Sequence, residues 1–139
     1  HNGKLIMINI NDFYLTTNKV MLGETLATQY IWTDENGNKV AEFKIWDWWD
    51  GINVSDLEVY GEYKGKGLSY QLLDYAVVKC GARNLAVRKT NSIAKHIYEK
   101  YGFEIVEQDD YMNYMTFKGH NICNGKDLMM TRQRFATVD

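Results

Sequence analysis

Apolar positions along the chain follow two different periods, and the change comes near the middle. In the first half, short runs rich in β-branched and aromatic residues lie between polar turn residues, which indicates strands. They predict four strands, at Lys4–Ile10, Thr25–Trp32, Lys39–Trp46 and Ile52–Tyr60. Asp34–Asn38 contains Asn-Gly, which tolerates positive φ and predicts a hairpin turn. A second turn is predicted at Asp47–Gly51, and Asn11–Glu24, polar at both ends, is predicted to be a loop or one helical turn.

The second half of the chain changes to helical spacing. A first helix is predicted from apolar residues three and four positions apart, ending at Gly81: Leu68, Leu72, Leu73, Ala76, Val77 and Cys80. Asn91 or Ser92 is expected to cap a second helix that Gly102 ends. Further strands are predicted at Asn84–Arg88, Phe103–Glu107 and Asp127–Arg132, with a polar and aromatic excursion at Asp109–Gly125. This order of elements predicts an α/β fold with a mixed sheet.

Composition narrows the class of protein. The chain has 139 residues, 45% hydrophobic and 24% charged, which is typical of one globular domain, taken here as residues 4–139. His1–Gly3 is set aside as a remnant of processing or an added segment. A net charge of −2 without a long basic run argues against nucleic acid and membrane-surface partners. No apolar stretch approaches the roughly 20 residues that span a bilayer or forms the hydrophobic region of a signal peptide, so neither feature is expected.

The two cysteines bear on metal binding and location. Cys80 and Cys123 lie 43 positions apart and form no CxxC pattern. They fit reduced thiols in a cytoplasmic protein, and no metal site is expected.

A glycine-rich turn lies between a strand and a helix, in the segment Val59–Ser69. Gly65 and Gly67 let the backbone turn tightly, so the first amides of the following helix form an anion site that suits a pyrophosphate. Lys64 and Lys66 add positive charge there. The spacing does not fit a P-loop, because Gly67 stands where that motif needs a hydroxyl. It does not fit a dinucleotide-binding fingerprint either, because Tyr70 stands where that motif needs a third glycine. Taken alone, the turn also fits a solvated lysine loop.

A second motif lies 24 residues beyond Gly67, at Asn91–Phe103, and reads N-x-x-A-x-x-I-Y-E-K-Y-G-F. Together with L-x-V-x-x-E-Y-K-G-K-G-L-S, it resembles the GNAT superfamily of acyl-CoA-dependent N-acyltransferases. The resemblance implies a mixed, mostly antiparallel twisted sheet with flanking helices and acetyl-CoA as co-substrate. Family members usually have two helices after the first strand, and Asn11–Glu24 is too short for both, so this helical region is expected to be shortened.

The resemblance also implies roles for particular residues. The pantetheine arm of acetyl-CoA would pair with the strand at Leu57 and Val59 and contact Asn91, which also fits a plain helix cap. The pyrophosphate would lie on the turn formed by Lys64, Gly65, Lys66, Gly67, Leu68 and Ser69. Lys64 stands where Arg or Gln is usual, and Ser69 where Gly or Ala is usual. Tyr98 matches the tyrosine that protonates the departing thiolate, although a core aromatic is the alternative.

The catalytic base and the acceptor site are less clearly marked. Several family members carry a glutamate at the position of Ala86, so the base must come from elsewhere: Asp56, Glu58 or a water chain. Strict strand alternation places both carboxylates opposite Leu57 and Val59. The acceptor site is expected to be open or completed by a partner chain, as in a homodimer. Trp46, Trp48 and Trp49 fit an acceptor pocket, a dimer interface or a cap on the hydrophobic core. Tyr111, Tyr114 and Phe117 fit a lid or an ordinary packed loop.

The resulting prediction is a cytoplasmic N-acetyltransferase. A primary amine, on a small molecule or a peptide or protein, would attack acetyl-CoA directly in a ternary complex, and the Val59 N–H would hold the oxyanion. The first alternative is a non-catalytic acyl-CoA-binding or protein-interaction module on the same fold. A second is a nucleotide-phosphate binder that uses only the glycine turn.

Overall fold

The structure is a computed structural model, and it describes residues 8–119. Seven strands lie in this part of the chain: β1 (Tyr14–Leu22), β2 (Thr25–Thr33), β3 (Lys39–Trp48), β4 (Gly51–Val59), β5 (Asn84–Arg88), β6 (Phe103–Gln108) and β7 (Met112–Phe117). Helix α1 (Leu68–Asp74) follows β4 and continues into a π-helical turn at Tyr75–Lys79, and α2 (Ser92–Tyr101) follows β5. Short 3-10 turns lie at Ile10–Asp12 and Gly61–Tyr63. None of the helices described between residues 8 and 119 is long and apolar enough to cross a membrane.

All seven strands belong to one sheet, in the order β1-β2-β3-β4-β5-β7-β6. Every neighbouring pair is antiparallel except β4 and β5, which run parallel. The predicted α/β fold, with a mixed, mostly antiparallel sheet and flanking helices, is therefore confirmed. Only Gly23 and Glu24 separate β1 from β2, so no helix lies between these two strands, in agreement with the expected shortening of the helical region.

The segment Asn11–Glu24 was predicted incorrectly. Instead of a loop or one helical turn, most of it forms β1, a nine-residue strand paired with β2 along its whole length. Nearly all of β1 is exposed on both faces, so its sequence carries no apolar alternation to mark a strand. The predicted strand Lys4–Ile10 lies mostly outside the described residues, and Ile10 itself begins a 3-10 turn.

The excursion predicted at Asp109–Gly125 also begins differently. Its first part forms β7, which pairs with both β5 and β6 inside the sheet. The buried face of β7 carries Asn113 beside Met115 and Phe117, and the buried asparagine hides the alternation in the sequence. Residues 120–125 of the excursion and the predicted strand Asp127–Arg132 lie outside the described residues. The turn predicted at Asp47–Gly51 is shorter than expected, since β3 extends to Trp48 and β4 begins at Gly51.

Both described helices pack on the same face of the sheet. Tyr70 of α1 and Tyr101 of α2 touch edge to face, with ring centroids 4.9 Å apart. The buried core between helices and sheet includes Trp32, Phe43, Val54, Leu72, Leu85, Tyr101 and Met115. Removal of this apolar surface from water holds the helices against the sheet. The opposite face, which carries Lys44, Trp46 and Ser55, has no helix over it among the described residues.

Helix α2 ends at a close backbone approach. Gly102 follows the helix at φ 130°, and its carbonyl accepts a hydrogen bond of 2.9 Å from the Lys118 N–H. A Cβ added at Gly102 would press into the Gly119 carbonyl, at 2.9 Å from its carbon, and approach the Phe117 ring at 3.0 Å. Only glycine meets both the dihedral and the space requirement at this position.

We therefore expect Gly102→Ala to lower the free energy of unfolding by about 3 kcal/mol, from left-handed backbone strain plus overpacking. Gly23→Ala is the matched control, because Gly23 also has positive φ but nothing lies within 4 Å of an added Cβ. That variant should lose only about 1 kcal/mol, the backbone part alone. Urea unfolding of the three proteins measures both values. Equal losses would contradict the close approach at Gly119.

Candidate active site

The parallel strands β4 and β5 separate almost as soon as they meet. Only one residue pair, Asn53 with Asn84, joins them, whereas β4 continues to Val59. On its other side β4 stays paired with β3, but the register shifts between Glu42 and Lys44. Along the gap, β4 is therefore hydrogen-bonded to β3 on one side and has no strand paired with it on the other.

A β-bulge lies in β4 at the widening of this gap. Glu42 pairs with Glu58 and Lys44 with Ser55, so β4 has one residue more than β3 between these two pairs. Asp56 occupies the bulge and has a φ of 54°, the only positive φ of a non-glycine residue among residues 8–119. The bulge changes the alternation: Ser55, rather than Asp56, shares a sheet face with Glu58.

The backbone of Val59 faces the gap. The N–H of Tyr60 donates to the Val40 carbonyl at 2.9 Å, on the β3 side of the strand. Neighbouring residues of an antiparallel strand direct their N–H groups to opposite edges, so the Val59 N–H is directed toward β5. Because β5 has diverged at this level, this N–H is available to a molecule that enters the gap.

A cavity of about 270 Å³ occupies the gap, and we call it the split cavity. Its walls come from β4, the glycine turn and α2: Leu57, Glu58, Val59, Lys64, Gly65, Ser69, Asn91, Ile93, Ala94, Ile97 and Tyr98. Gly67 and Leu68 line an adjoining cavity of about 540 Å³ on the outer side of the turn, together with Val59, Gly65 and Ser69. The predicted site residues therefore lie together, except that Lys66 and Asp56 line neither cavity.

The glycine turn has the backbone geometry that its sequence predicts. Gly65 and Gly67 have φ values of 75° and 82°, and Gly67 is the N-cap of α1 in the left-handed conformation. No side chain caps the first N–H groups of α1. These uncapped donors and the ammonium of Lys64, which lines the split cavity, give the turn a positive electrostatic potential.

Asn91 caps α2 as well as lining the split cavity. Its Oδ1 accepts a hydrogen bond of 3.1 Å from the Ala94 N–H, which is the plain capping role that the sequence left open. The cap uses the amide oxygen, so it leaves the donors of the Asn91 NH₂ group unused.

Tyr98 joins the cavity to the core. Its ring meets Phe103 edge to face with centroids 6.4 Å apart, and it also lines the split cavity. Burial is the larger of two causes that raise the pKa of the Tyr98 hydroxyl above its ordinary value, and the negative charge of Glu58 is the smaller one. The hydroxyl is therefore protonated throughout the neutral range and available as a donor.

The two candidate bases lie in different places. Asp56 is exposed and its Oδ2 is 3.2 Å from the Lys44 ammonium, outside the split cavity. Glu58 lines the split cavity and lies close enough to Tyr98 to affect its pKa. Although Glu58 is on the opposite sheet face from Val59, the cavity occupies a gap between strands and therefore borders both faces.

A buried carboxylate supports β3 behind the bulge. Glu42 accepts hydrogen bonds from Lys39 at 2.9 Å, from the Tyr60 hydroxyl at 2.9 Å and from Gln29 at 3.1 Å, and Lys44 lies 3.6 Å away. Burial alone would raise the pKa of Glu42, but the hydrogen bonds and the charge of Lys39 outweigh it and lower the pKa. This cluster was not predicted, because a glutamate in a strand normally indicates a solvent-facing position.

A second cavity, of about 350 Å³, opens on the helix-free face, and we call it the opposite-face cavity. Residues of β3 to β7 and of the β3–β4 turn line it, including Trp46, Asp50, Ser55, Ala86, Glu107 and Tyr114. Of the aromatic candidates, Trp46 and Tyr114 line this cavity, whereas Trp48, Trp49 and Tyr111 are exposed and Phe117 belongs to the core. Asp50 and Glu107 had no signal in the sequence, since each is an ordinary surface carboxylate at the end of a strand.

Comparisons with known proteins agree with this architecture. A family model described as "Acetyltransferase (GNAT) domain" matches residues 27–105. The chain therefore belongs to the GNAT acetyltransferase family, and the resemblance based on the two motifs is confirmed. No curated protein sequence matches the chain.

Solved structures share the fold at low sequence identity. Mutant forms of the spermidine/spermine N-acetyltransferase SpeG from Vibrio cholerae are 12% identical, with a TM-score of 0.57 over 77% of this chain and 94% of that chain. An IAA acetyltransferase from Bacillus cereus is 13% identical, with a TM-score of 0.57 over 75% of this chain and 99% of that chain. The PaiA N-acetyltransferase from Thermoplasma acidophilum, in complex with coenzyme A, is 19% identical, with a TM-score of 0.53 over 65% and 59%. These likenesses show the fold.

The lowered pKa of Glu42 gives a test of the cluster behind the bulge. The folded protein binds the Glu42 proton less readily than the unfolded chain, so this group stabilises the fold above its unfolded pKa of about 4.3. The stabilisation is lost as the pH falls through the folded pKa. We expect Glu42→Gln to cost about 1.5–3 kcal/mol at pH 7 and to have a shallower acid dependence of stability than the wild type.

Urea unfolding at a series of pH values between neutral and acid measures both effects. Glu24→Gln, at an exposed glutamate in the β1–β2 turn, should follow the wild-type curve. Parallel curves for wild type and Glu42→Gln would show that Glu42 gains no stability from its hydrogen bonds.

Proposed function

We propose that this protein is an N-acetyltransferase, which transfers the acetyl group of acetyl-CoA to a primary amine in one ternary complex. The observation that carries the proposal is the split cavity, which brings the Val59 N–H, the Tyr98 hydroxyl and the glycine turn to one gap in the sheet. A gap of this kind admits an extended thioester between two strands and offers backbone donors along its length.

The proposed donor site follows the split cavity. The pantetheine arm would run along Leu57 and Val59 with Asn91 on the opposite wall, since all three line the cavity. The pyrophosphate would lie at the turn from Lys64 to Ser69, where uncapped N–H groups and a lysine favour an anion. Lysine supplies the charge of the more usual arginine without its planar fork.

The proposed reaction is a direct acyl transfer. The amine lone pair attacks the thioester carbonyl carbon, and the new C–N bond gives a tetrahedral intermediate whose oxyanion accepts from the Val59 N–H. Glu58 accepts the proton that the nitrogen loses. The C–S bond then breaks, and Tyr98 donates its proton to the departing thiolate. Tyr98 suits this step because its raised pKa keeps the hydroxyl protonated until the thiolate develops.

Glu58 is the preferred base on geometric grounds. It borders the split cavity and shares a sheet face with Ser55, which lines the opposite-face cavity, whereas Asp56 is engaged with Lys44. Glu58 would thus act as the base in place of the glutamate that several family members carry at the position of Ala86. This arrangement favours an enzyme over the alternative of a non-catalytic acyl-CoA-binding module.

We also propose a cytoplasmic location. Cys80 is a free thiol in the described part of the chain, and its burial raises its pKa, which fits a reducing compartment and an unreactive thiol.

The first functional prediction concerns the donor site. Acetyl-CoA at 100 times its dissociation constant should raise stability by about 2.7 kcal/mol if it binds only the folded protein, and ATP at the same concentration should do much less. Gly67→Val should remove the effect, because a β-branched side chain resists the left-handed conformation at the turn.

Thermal unfolding with each ligand and calorimetric titration of the variant measure these effects. A melting shift from ATP that equals the shift from acetyl-CoA would favour the nucleotide-phosphate binder instead. Unchanged affinity in a folded Gly67→Val protein would place the phosphates elsewhere.

The second functional prediction concerns the general acid. Tyr98→Phe keeps the ring and its contact with Phe103, and it should lower kcat by roughly 10²–10⁴. The dissociation constant of acetyl-CoA should hardly change, because the proton is transferred only in the transition state. The wild-type rate should fall only at a pH above the ordinary phenol range, and this fall should vanish in the variant.

Tyr111→Phe is the matched control, since Tyr111 is 73% exposed and lines neither the split nor the opposite-face cavity. Release of free thiol from acetyl-CoA gives kcat for all three proteins. Full kcat in a folded Tyr98→Phe variant would show that Tyr98 is a core aromatic without a catalytic role. Binding of acetyl-CoA without thiol release from any amine would favour the non-catalytic module.

A further inference from the structure

The opposite-face cavity adjoins the split cavity along strand β4. Asn53, Val54 and Ser55 line the former, and Leu57, Glu58 and Val59 line the latter, so only the bulge residue separates the two stretches. We propose that the opposite-face cavity takes the acceptor and that the acceptor is a small primary amine with a second cationic group. This inference rests on the proposed acetyl transfer.

The position of the cavity suits attack on the thioester. A nucleophile in this cavity approaches the gap from the helix-free face, whereas the donor lies between β4 and α2 on the other side. Ala86 is the last β5 residue that lines this cavity, and its methyl group takes up little space there. The two reactants would therefore meet in the gap from opposite directions, which is the geometry that direct transfer needs.

The charges around the cavity select a cation. Asp50, from the β3–β4 turn, and Glu107, from β6, line it from opposite sides, and its lining includes no lysine or arginine. Neither carboxylate forms an ion pair within residues 8–119. A cation bound in this cavity would therefore meet a carboxylate on either side of it without breaking an existing ion pair.

Two aromatic rings complete the recognition of a cation. Trp46 donates its indole N–H to the Ser55 hydroxyl at 2.7 Å, which fixes the orientation of the ring at the cavity. Tyr114 donates its hydroxyl to Asp109 at 2.6 Å, so this ring is fixed as well. Aromatic faces attract organic cations electrostatically, and rings held in advance lose little entropy on binding.

The second cationic group follows from the chemistry of the reacting nitrogen. An amine attacks only through its lone pair, so the reacting nitrogen is uncharged and gains little from Asp50 and Glu107. The carboxylates favour a substrate whose other end stays protonated while the first nitrogen reacts. A cavity of about 350 Å³ is at the small end for ligand sites, which favours a compact diamine over a folded protein surface.

The test compares butane-1,4-diamine with butylamine, which has the same carbon chain but lacks the second ammonium group. Acetyl-CoA is the donor, and kcat/KM for the diamine is halved because either of its two nitrogens can react. For the wild type at low salt, kcat/KM for the diamine should be roughly five- to tenfold higher, as expected for two partly exposed ion pairs. Glu107→Gln and Asp50→Asn should each lower this preference by about threefold through KM, and added salt should reduce it. Glu24→Gln, which removes a charge far along the sheet in the β1–β2 turn, should leave the preference unchanged.

Ala86→Leu tests the position of the site separately from its charge. A larger side chain there should lower kcat/KM for both amines and leave the dissociation constant of acetyl-CoA unchanged. Equal kcat/KM for the two amines, or a preference that survives both carboxylate changes, would overturn this inference while acetyl transfer stands. Absence of transfer to either amine, with acetyl-CoA bound, would instead overturn the proposed function and this inference with it.

Discussion

The pairing of β4 with β5 through a single residue pair is the constraint on which the rest of the site depends. Parallel strands normally continue their hydrogen bonds along their shared length, which would leave no backbone group free in the middle of a sheet. Here β4 is held by β3 alone beyond Asn53, and its outward N–H and C=O groups face a cavity. The helices on one side and the cluster around Glu42 on the other keep β4 in place without β5.

Local sequence signals predicted the parts of the site that depend on local backbone geometry. Gly65 and Gly67 have the positive φ values that a tight turn into a helix requires, and Asn91 caps α2 through its own side chain. These features need no distant partner, so the chain specifies them over a few residues. Strand β1 was missed for the opposite reason: its exposure on both faces leaves only pairing with β2 to define it, and pairing leaves no mark on the sequence of one strand.

The bulge in β4 could not be predicted from the sequence, and it determines which of the two candidate bases lies at the cavity. Strict alternation grouped Asp56 with Glu58, but the extra residue assigns Asp56 to Lys44 and leaves Glu58 at the cavity. The choice depends on where β3 pairs with β4, a property of two strands together. Similarly, Asp50 and Glu107 border the same cavity from opposite sides only because β5 and β7 lie between β4 and β6 in the sheet. Spacing along the chain carries no information about such encounters.

The glycine that ends α2 has a consequence for the position of Tyr98 as well as for folding. Gly102 donates to the Tyr98 carbonyl at 3.1 Å, so the backbone contact with Gly119 lies one helical turn from the hydroxyl-bearing residue. At about 1.5 Å of rise per residue, that turn is a rigid segment some 6 Å long. A shift of the helix end would be carried along it into the cavity, where a misplacement of about 1 Å is enough to slow a reaction roughly 10²-fold. The spacing of these two backbones would thus help to set the position of the proposed proton donor, although neither backbone touches substrate.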